Sequence, residues 1–274
     1  MGGDRFSQLN AKEVESDSSQ AAPHERVLGV RFFCGLASEA VDRSTSSGGL
    51  TVIPAAPALL KLRYDLDYRQ ALEKADLALA DSGLLTLLWR CVTGRHLKHI
   101  SGLSYLRSLL TNVDGVKEMD VLWVVGSESE KEKAVAWLER NQFSGSSANC
   151  WVDDAKTGKG TGAHSLLLRI EESRPRHIII ALASGVQEKL GLYLREYLLY
   201  RPSIHCVGAA LGFLTGSEPA MPAWAERWHL GWVARGFAQP RMILPRIGIA
   251  ITLSAMVLKY RAEMPRLRTR WSDL

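Results

Sequence analysis

The chain has 274 residues and a net charge of +5, and its 46% hydrophobic and 23% charged residues are ordinary values for a globular protein with a sizeable core. The polar first 25 residues contain no apolar run, so we expect no signal peptide and no secretion. Cys34, Cys91, Cys150 and Cys206 are widely spaced, unlike a zinc site or a disulfide framework, which predicts buried thiols in a reducing, cytoplasmic compartment.

Short apolar runs alternate with longer amphipathic ones after residues 1–25, a polar tail whose composition predicts disorder. The predicted strands are Leu50–Pro54, Asp76–Ala80, Val121–Val125, Asn149–Val152, His177–Leu182 and Ile204–Val207. The predicted helices are Ala58–Lys74, Ser82–Val92, Leu103–Leu110, Glu130–Asn141, Ser165–Glu172 and Val186–Tyr200. This alternation predicts an α/β core over residues 26–238, with a doubly wound, mostly parallel, Rossmann-like sheet.

Ligands bind such sheets beyond the carboxyl ends of the strands, which directs attention to Asp81. This carboxylate follows the predicted strand Asp76–Ala80 and is placed to accept a proton from a hydroxyl nucleophile. The alternative is that Asp81 only caps the helix that begins near Ser82. The local pattern leaves both open.

The turn Ser184–Glu188 joins the most strand-like run of the sequence to the most helix-like one. Free main-chain N–H groups there, beside Gly185, are suited to a diphosphate or to sugar oxygens, and Gln187 adds a neutral donor and acceptor. An ordinary helix start is the alternative. Gly126-Ser127 is a similar but weaker candidate, because nearby Glu128 and Glu130 compete with an anion.

The C-terminal segment, residues 239–274, is predicted to form a basic and apolar appendage. From Arg241 onward it holds seven Arg or Lys side chains against two carboxylates, which points to an anionic partner. The uncharged run Ile247–Leu258 is too short to span a bilayer, but it suits an amphipathic helix in the membrane interface, with Trp271 at headgroup level. A buried last helix or a homo-oligomer contact is the alternative.

Several other functions lack their motifs. The run Gly158–Gly162 does not have the residue order of a P-loop, and no GxGxxG follows a strand, which disfavours a dehydrogenase. HExxH, HxxxH and GxSxG are also absent, so metallohydrolase and serine hydrolase chemistry have no support.

Six short segments together resemble the WecG/TagA/CpsF glycosyltransferases (family 26) over roughly residues 27–246. None is specific alone, but all occur in the family's order. They are Ala75–Gly83, Ile100–Gly102, Leu122–Ser127, Ser184–Glu188, Gly208–Gly216 and Leu230–Arg241.

The resemblance implies an inverting, metal-independent transfer of a sugar from a UDP-sugar to a polyprenyl-diphosphate-linked sugar. It implies no cofactor, no nucleic acid, and a peripheral location on an anionic membrane surface, at the inner face of the cytoplasmic membrane. Carried over, Asp81 is the general base. The expected donor and phosphate contacts are Ser184, Gly185, Gln187, Glu188, Gly126, Ser127, Gly208, Arg235, Arg241 and Arg246, and the expected acceptor or pocket positions are Ile53, Ala55, Ser101 and Gly102. Guanidinium groups would neutralise the leaving diphosphate.

Three departures from the family pattern favour an alternative. Ile53-Pro54-Ala55 replaces Thr-Pro-Asn, Gly212 replaces an aspartate, and Ser184–Val186 replaces Pro-Lys. A hydroxyl and an amide expected to touch ligand are thereby lost. The alternative is a divergent member, or a non-catalytic nucleotide-sugar or membrane-binding partner of a polysaccharide assembly complex.

Overall fold

In a computed structural model, which describes residues 24–112, 121–143, 149–153, 161–217 and 243–267, eight strands form one sheet. These are β1 His24–Val27, β2 Val30–Phe33, β3 Gly49–Val52, β4 Leu77–Ala78, β5 Val121–Val125, β6 Cys150–Val152, β7 His177–Ala181 and β8 Ser203–Cys206. Their order across the sheet is β1-β2-β4-β3-β8-β7-β5-β6. Only the β1–β2 hairpin pairs antiparallel; the other described pairings are parallel, as a Rossmann-like fold requires.

The helices of the described ranges cover both faces of this sheet. They are α1 Ala37–Ser47, α2 Ala56–Leu59 continued by a 3₁₀ turn at Leu60–Arg63, α3 Leu66–Lys74, α4 Gly83–Thr93, α5 Gly102–Asn112, α6 Glu128–Arg140, α7 Thr161–Ser173, α8 Gln187–Tyr197, α9 Ala210–Thr215 and α10 Ile243–Tyr260. Because strand side chains alternate between faces, the sheet contributes side chains to two separate hydrophobic cores, one on each face. Leu50, Val52, Ile178 and Ile180 join the core with α3, α4, α8 and α10, whereas Ile179 and Val207 join the core with α1, α5 and α6.

The predicted α/β class and the mostly parallel sheet are confirmed, and the six predicted strands are found, Val121–Val125 with the predicted ends and the other five with shifted ends. Two predictions were wrong in detail. The single helix Ala58–Lys74 is interrupted at Tyr64, because Asp65 instead caps a new helix by accepting a hydrogen bond from the Tyr68 N–H at 3.0 Å. The predicted disordered tail also extends too far, since His24 and Glu25 already pair with Phe33 and Phe32 in the hairpin.

Helix α10 contains the uncharged run Ile247–Leu258. Leu253, Met256 and Val257 are buried in the core against α4 and α2. The turn after α10 is hydrogen-bonded to the β1–β2 hairpin. The Arg261 and Ala262 carbonyls accept from the main-chain N–H groups of Leu28 and Gly29 at 2.8 and 3.0 Å. This part of the predicted appendage is therefore a component of the folded domain. None of the helices in the described ranges has the length and apolar character for crossing a membrane.

Candidate active site

Asp81 lies just beyond β4, at the carboxyl edge of the sheet, as predicted. Its Oδ1 accepts a hydrogen bond from the Gly102 N–H at 3.1 Å, at the first residue of α5. The cap of α4 is Ser82, whose hydroxyl accepts from the Leu85 N–H at 3.1 Å. The proposed capping role for Asp81 therefore belongs to its neighbour, and the Asp81 carboxylate is oriented by a different helix.

The segment before α5 supports this position from the other side. His99 forms an isolated parallel bridge with Ala80, and its Nε2 lies 3.2 Å from the carbonyl oxygen of Asp81. Ser101 begins α5 by accepting a hydrogen bond from the Ser104 N–H at 3.0 Å. Residues 99–102 thus contact both the main-chain carbonyl and the side-chain carboxylate of Asp81.

Gly102, which binds Asp81, also lies against the turn after β8. A Cβ at position 102 would lie 3.1 Å from the carbonyl oxygen of Val207 and 3.4 Å from the Cβ of Ala210. The absent side chain therefore allows the start of α5 and the turn after β8 to touch. Ser101 and Gly102 had been predicted as pocket positions, and they border Asp81 directly.

Beyond β7, the turn Ser184–Glu188 folds around a buried carboxylate. Glu188 is 0% exposed and accepts hydrogen bonds from the Gly185 N–H at 2.5 Å, the Ser184 hydroxyl at 3.2 Å and the Gln187 amide at 3.3 Å. The main-chain N–H groups of Val186 and Gln187 donate to the Ala183 carbonyl. The N–H groups of Gly185, Val186 and Gln187, expected to be free for a ligand, have partners within the chain.

Gln187 connects this turn to the next strand. Its Oε1 accepts a hydrogen bond from the Gly208 N–H at 2.8 Å, directly after β8, and its side chain is buried. The φ of Gly208 is +56°, a conformation that side chains disfavour, so glycine suits this tight turn. Gln187 and Gly208, predicted as separate donor contacts, form one hydrogen-bonded unit.

Lys61 is a component of this edge that the sequence reasoning missed. Its Nζ donates to the Ser184 carbonyl at 2.8 Å, which joins the turn after β3 to the turn after β7. The available signal was a lone cation in the apolar stretch Leu59–Leu62, near the start of the helix that was predicted to follow the strand Leu50–Pro54. We call the contiguous set of Asp81, Gly102, Gly208, Gln187, Glu188, Ser184 and Lys61 the carboxyl-edge cluster.

Gly126 and Ser127 lie farther along the same edge, after β5. The Gly126 N–H donates to the Glu130 carboxylate at 2.9 Å, and the Ser127 hydroxyl accepts from the Glu130 N–H at 3.3 Å. Ser127 thus caps α6, and Glu130 occupies the N–H group that an anion would need. Of the two carboxylates expected to compete with an anion here, Glu130 does so, whereas Glu128 lies 3.7 Å from the Lys131 ammonium.

The remaining predicted positions fall into two groups. Ile53 is buried in the core shared with α1 and α5, and Ala55 precedes α2 without a side-chain cap. Arg235 and Arg241 lie outside the described residues, and Arg246 falls within α10. The structure therefore neither joins these arginines to the carboxyl-edge cluster nor separates them from it.

Burial sets the electrostatics around Glu188. Desolvation raises the pKa of its carboxyl, while hydrogen bonds from Gly185, Gln187 and Ser184 oppose that rise. Desolvation, and then the charge of Glu188, raise the pKa of the neighbouring Tyr68 and Cys206. A second anion placed beside Glu188 would meet the same repulsion, so a cation is needed wherever an anionic ligand lies near this turn.

A comparison with curated proteins found no significant match. The model of the Glycosyl transferase WecG/TagA/CpsF family matches residues 25–269, which is nearly the whole chain and includes the carboxyl-edge cluster. Members of this family are glycosyltransferases of cell-surface polysaccharide synthesis, with a nucleotide-sugar donor and a lipid-linked acceptor. The chain belongs to the WecG/TagA/CpsF glycosyltransferase family.

Proposed function

We propose that this glycosyltransferase moves a sugar from a UDP-sugar to a polyprenyl-diphosphate-linked saccharide in bacterial exopolysaccharide synthesis, with inversion and without a metal ion. The observation that carries the proposal is the position of Asp81. Its carboxylate lies at the carboxyl edge of the sheet and is oriented by the Gly102 N–H at 3.1 Å. An oriented carboxylate beside a ligand-binding edge is suited to general-base catalysis.

In the proposed reaction, the acceptor hydroxyl attacks the anomeric carbon of the donor sugar as the bond from that carbon to the diphosphate oxygen breaks. Asp81 takes the proton of the hydroxyl, and UDP leaves with the bonding electron pair. Attack opposite to the leaving group inverts the anomeric centre. Basic side chains, among them Arg235, Arg241 and Arg246, neutralise the leaving diphosphate.

The acceptor would reach the enzyme from an anionic membrane surface at the inner face of the cytoplasmic membrane. Helix α10 supports this part of the proposal, because Ile247, Ile251 and Leu258 are exposed along one side while the opposite side is buried in the core. Exposed Lys259 and Arg261 follow at the end of this stripe. Apolar contact combined with cations is characteristic of peripheral membrane helices.

The proposal is tested with the purified full chain, a panel of UDP-sugars and a polyprenyl-diphosphate-linked sugar analogue. Release of UDP, a glycosylated lipid detected by mass spectrometry, and an inverted anomeric configuration by NMR are the expected results. Turnover with a GDP- or TDP-sugar alone would overturn the donor assignment, and retention would overturn the mechanism.

The second candidate is a non-catalytic nucleotide-sugar or membrane-binding partner of a polysaccharide assembly complex. It is favoured by one observation, the buried apolar Ile53 at a position where the family has a threonine hydroxyl. Tight UDP-sugar binding without turnover on any acceptor in the panel would support it.

A further inference from the structure

Three glycine N–H groups at the carboxyl edge already have acceptors in the chain. The Gly126 N–H is bound by a carboxylate at 2.9 Å, the Gly185 N–H by a carboxylate at 2.5 Å, and the Gly208 N–H by an amide oxygen at 2.8 Å. A diphosphate that used any of them would have to displace that acceptor. At these three turns a cationic side chain is therefore better placed than the main chain to meet the charge of an anionic ligand.

Lys61 supplies such a side chain between the ends of β3 and β7. Its ammonium donates one hydrogen bond to the Ser184 carbonyl, and a lysine ammonium has three N–H groups. Among the residues that the structure describes, no carboxylate lies within ion-pair distance of its Nζ. The positive charge of Lys61 is thus not neutralised by a carboxylate in the described part of the chain.

The turn after β7 lies against the end of the Lys61 side chain. The φ of Gly185 is +94°, so any other residue there would strain the backbone, and its Cβ would meet the flexible end of Lys61, which would have to move. Glycine therefore allows the backbone of this turn to approach a charged side chain closely. The Ser184 hydroxyl lies on the same turn, where it donates to Glu188 and keeps lone pairs for accepting.

We propose that Lys61 binds the diphosphate of the nucleotide-sugar donor, an assignment that rests on the proposed function. Its ammonium would neutralise the oxygen that gains charge as the bond from the anomeric carbon breaks. A series of contacts runs along the edge of the sheet from Lys61 through Gln187 to Gly102, which binds Asp81. The proposed diphosphate site and the proposed general base therefore lie on the same edge. The alternative is that Lys61 only tethers two turns.

The experiment is isothermal titration of the full chain carrying Lys61→Met, Lys61→Arg or Lys74→Met, with UDP, uridine and inorganic pyrophosphate as probes. Lys74 is a matched control, because its Nζ is also hydrogen-bonded, to Glu196 at 2.7 Å, but in an exposed ion pair on α3. Lys61→Met is expected to weaken UDP and pyrophosphate binding roughly 10–100-fold, as loss of a charged hydrogen bond would. Uridine binding and the Lys74→Met protein should be unchanged, and Lys61→Arg should keep part of the affinity.

A second measurement needs no variant. Acylation of the wild-type chain, read by mass spectrometry, should show that UDP and pyrophosphate protect Lys61, that uridine does not, and that Lys74 reacts equally in all cases. Unchanged pyrophosphate affinity in Lys61→Met, or no protection of Lys61, would overturn the inference while leaving UDP-sugar transfer intact. Equal loss of uridine and UDP binding would also overturn it, because it indicates a purely structural tether. If the wild-type chain transfers sugar only from another nucleotide, the donor assignment fails, and the pyrophosphate arm still decides on Lys61.

Discussion

The carboxylate of Asp81 accepts a hydrogen bond from the Gly102 N–H, so a residue at the end of β4 is oriented by the beginning of α5. The two residues belong to different turns, and Ser82 takes the capping position that would otherwise suit Asp81. This separation of roles makes the catalytic hypothesis testable, since the two neighbours can be changed independently.

Asp81→Asn should lower kcat by about 10²–10⁴-fold while donor binding remains, because asparagine keeps an oxygen for the Gly102 N–H but cannot take a proton from the acceptor. Ser82→Ala is the matched control. It should cost about 1 kcal/mol of stability through loss of the α4 cap and leave kcat within a few-fold of the wild type. Steady-state kinetics with melting curves check both, and an unchanged rate in Asp81→Asn would remove the base assignment.

Gln187→Met should destabilise the protein by roughly 1–3 kcal/mol, because the substitution keeps the side-chain volume but leaves the Gly208 N–H with only its longer bond, at 3.4 Å to the Ile180 carbonyl, in place of the one at 2.8 Å. Activity should fall as well, since the turn after β8 borders Gly102. Urea denaturation measures the first effect. A variant as stable as the wild type would show that another acceptor, such as water, replaces the amide.

The buried His205 predicts a specific pH dependence of stability. Desolvation, and then the neighbouring His177, lower the pKa of its imidazole from 6.5 to about 3, and its Nδ1 lies 2.8 Å from the Tyr105 hydroxyl. Below pH 6.5 the His205 imidazole is protonated in the unfolded chain, but in the folded chain it stays neutral until the pH falls to about 3. This group therefore lowers the free energy of unfolding between pH 6.5 and about 3, by at most about 1.4 kcal/mol per pH unit.

Above pH 6.5 the same group contributes no slope, because the imidazole is neutral in both states. His205→Gln should reduce the acid slope, although it lowers stability at neutral pH by disturbing the bond to Tyr105. The exposed His164 on α7 provides the control, because His164→Gln does not touch this network. Urea denaturation at a series of pH values separates them, and equal slopes in the wild type and His205→Gln would contradict the prediction.

Excess EDTA should leave the transferase activity unchanged if basic side chains stabilise the leaving diphosphate. Among the described residues, no group of three or more His, Cys, Asp or Glu side chains is arranged to hold a metal ion. The measurement is UDP release with and without chelator. Loss of activity that Mg²⁺ or Mn²⁺ restores would contradict the proposed mechanism.

Two substitutions one helical half-turn apart separate the roles of α10. Leu253→Ala should cost about 2–5 kcal/mol, because Leu253 is fully buried in the core. Ile251→Asn should leave the melting temperature nearly unchanged, because Ile251 is 64% exposed, but should weaken co-sedimentation with anionic vesicles. Unchanged vesicle binding in Ile251→Asn would show that this exposed stripe does not bind the membrane. An oligomer contact, or no partner at all, would then remain.

The sequence by itself determined the class of fold and the edge of the sheet at which the candidate site lies. Parallel strands buried on both faces read as apolar runs such as His177–Ala181, and their carboxyl ends converge whatever the loops do, so Asp81, Ser184 and Gly208 were assigned to one edge. The tertiary structure decided which polar groups there are already satisfied. Glu188 accepts from the Gly185 N–H of its own turn, Gln187 accepts from the Gly208 N–H after the next strand, and Lys61 donates to a carbonyl 123 residues away. It also decided that Leu253 faces the core while Ile251 faces outward, because helical periodicity in a uniformly apolar run does not specify a buried side.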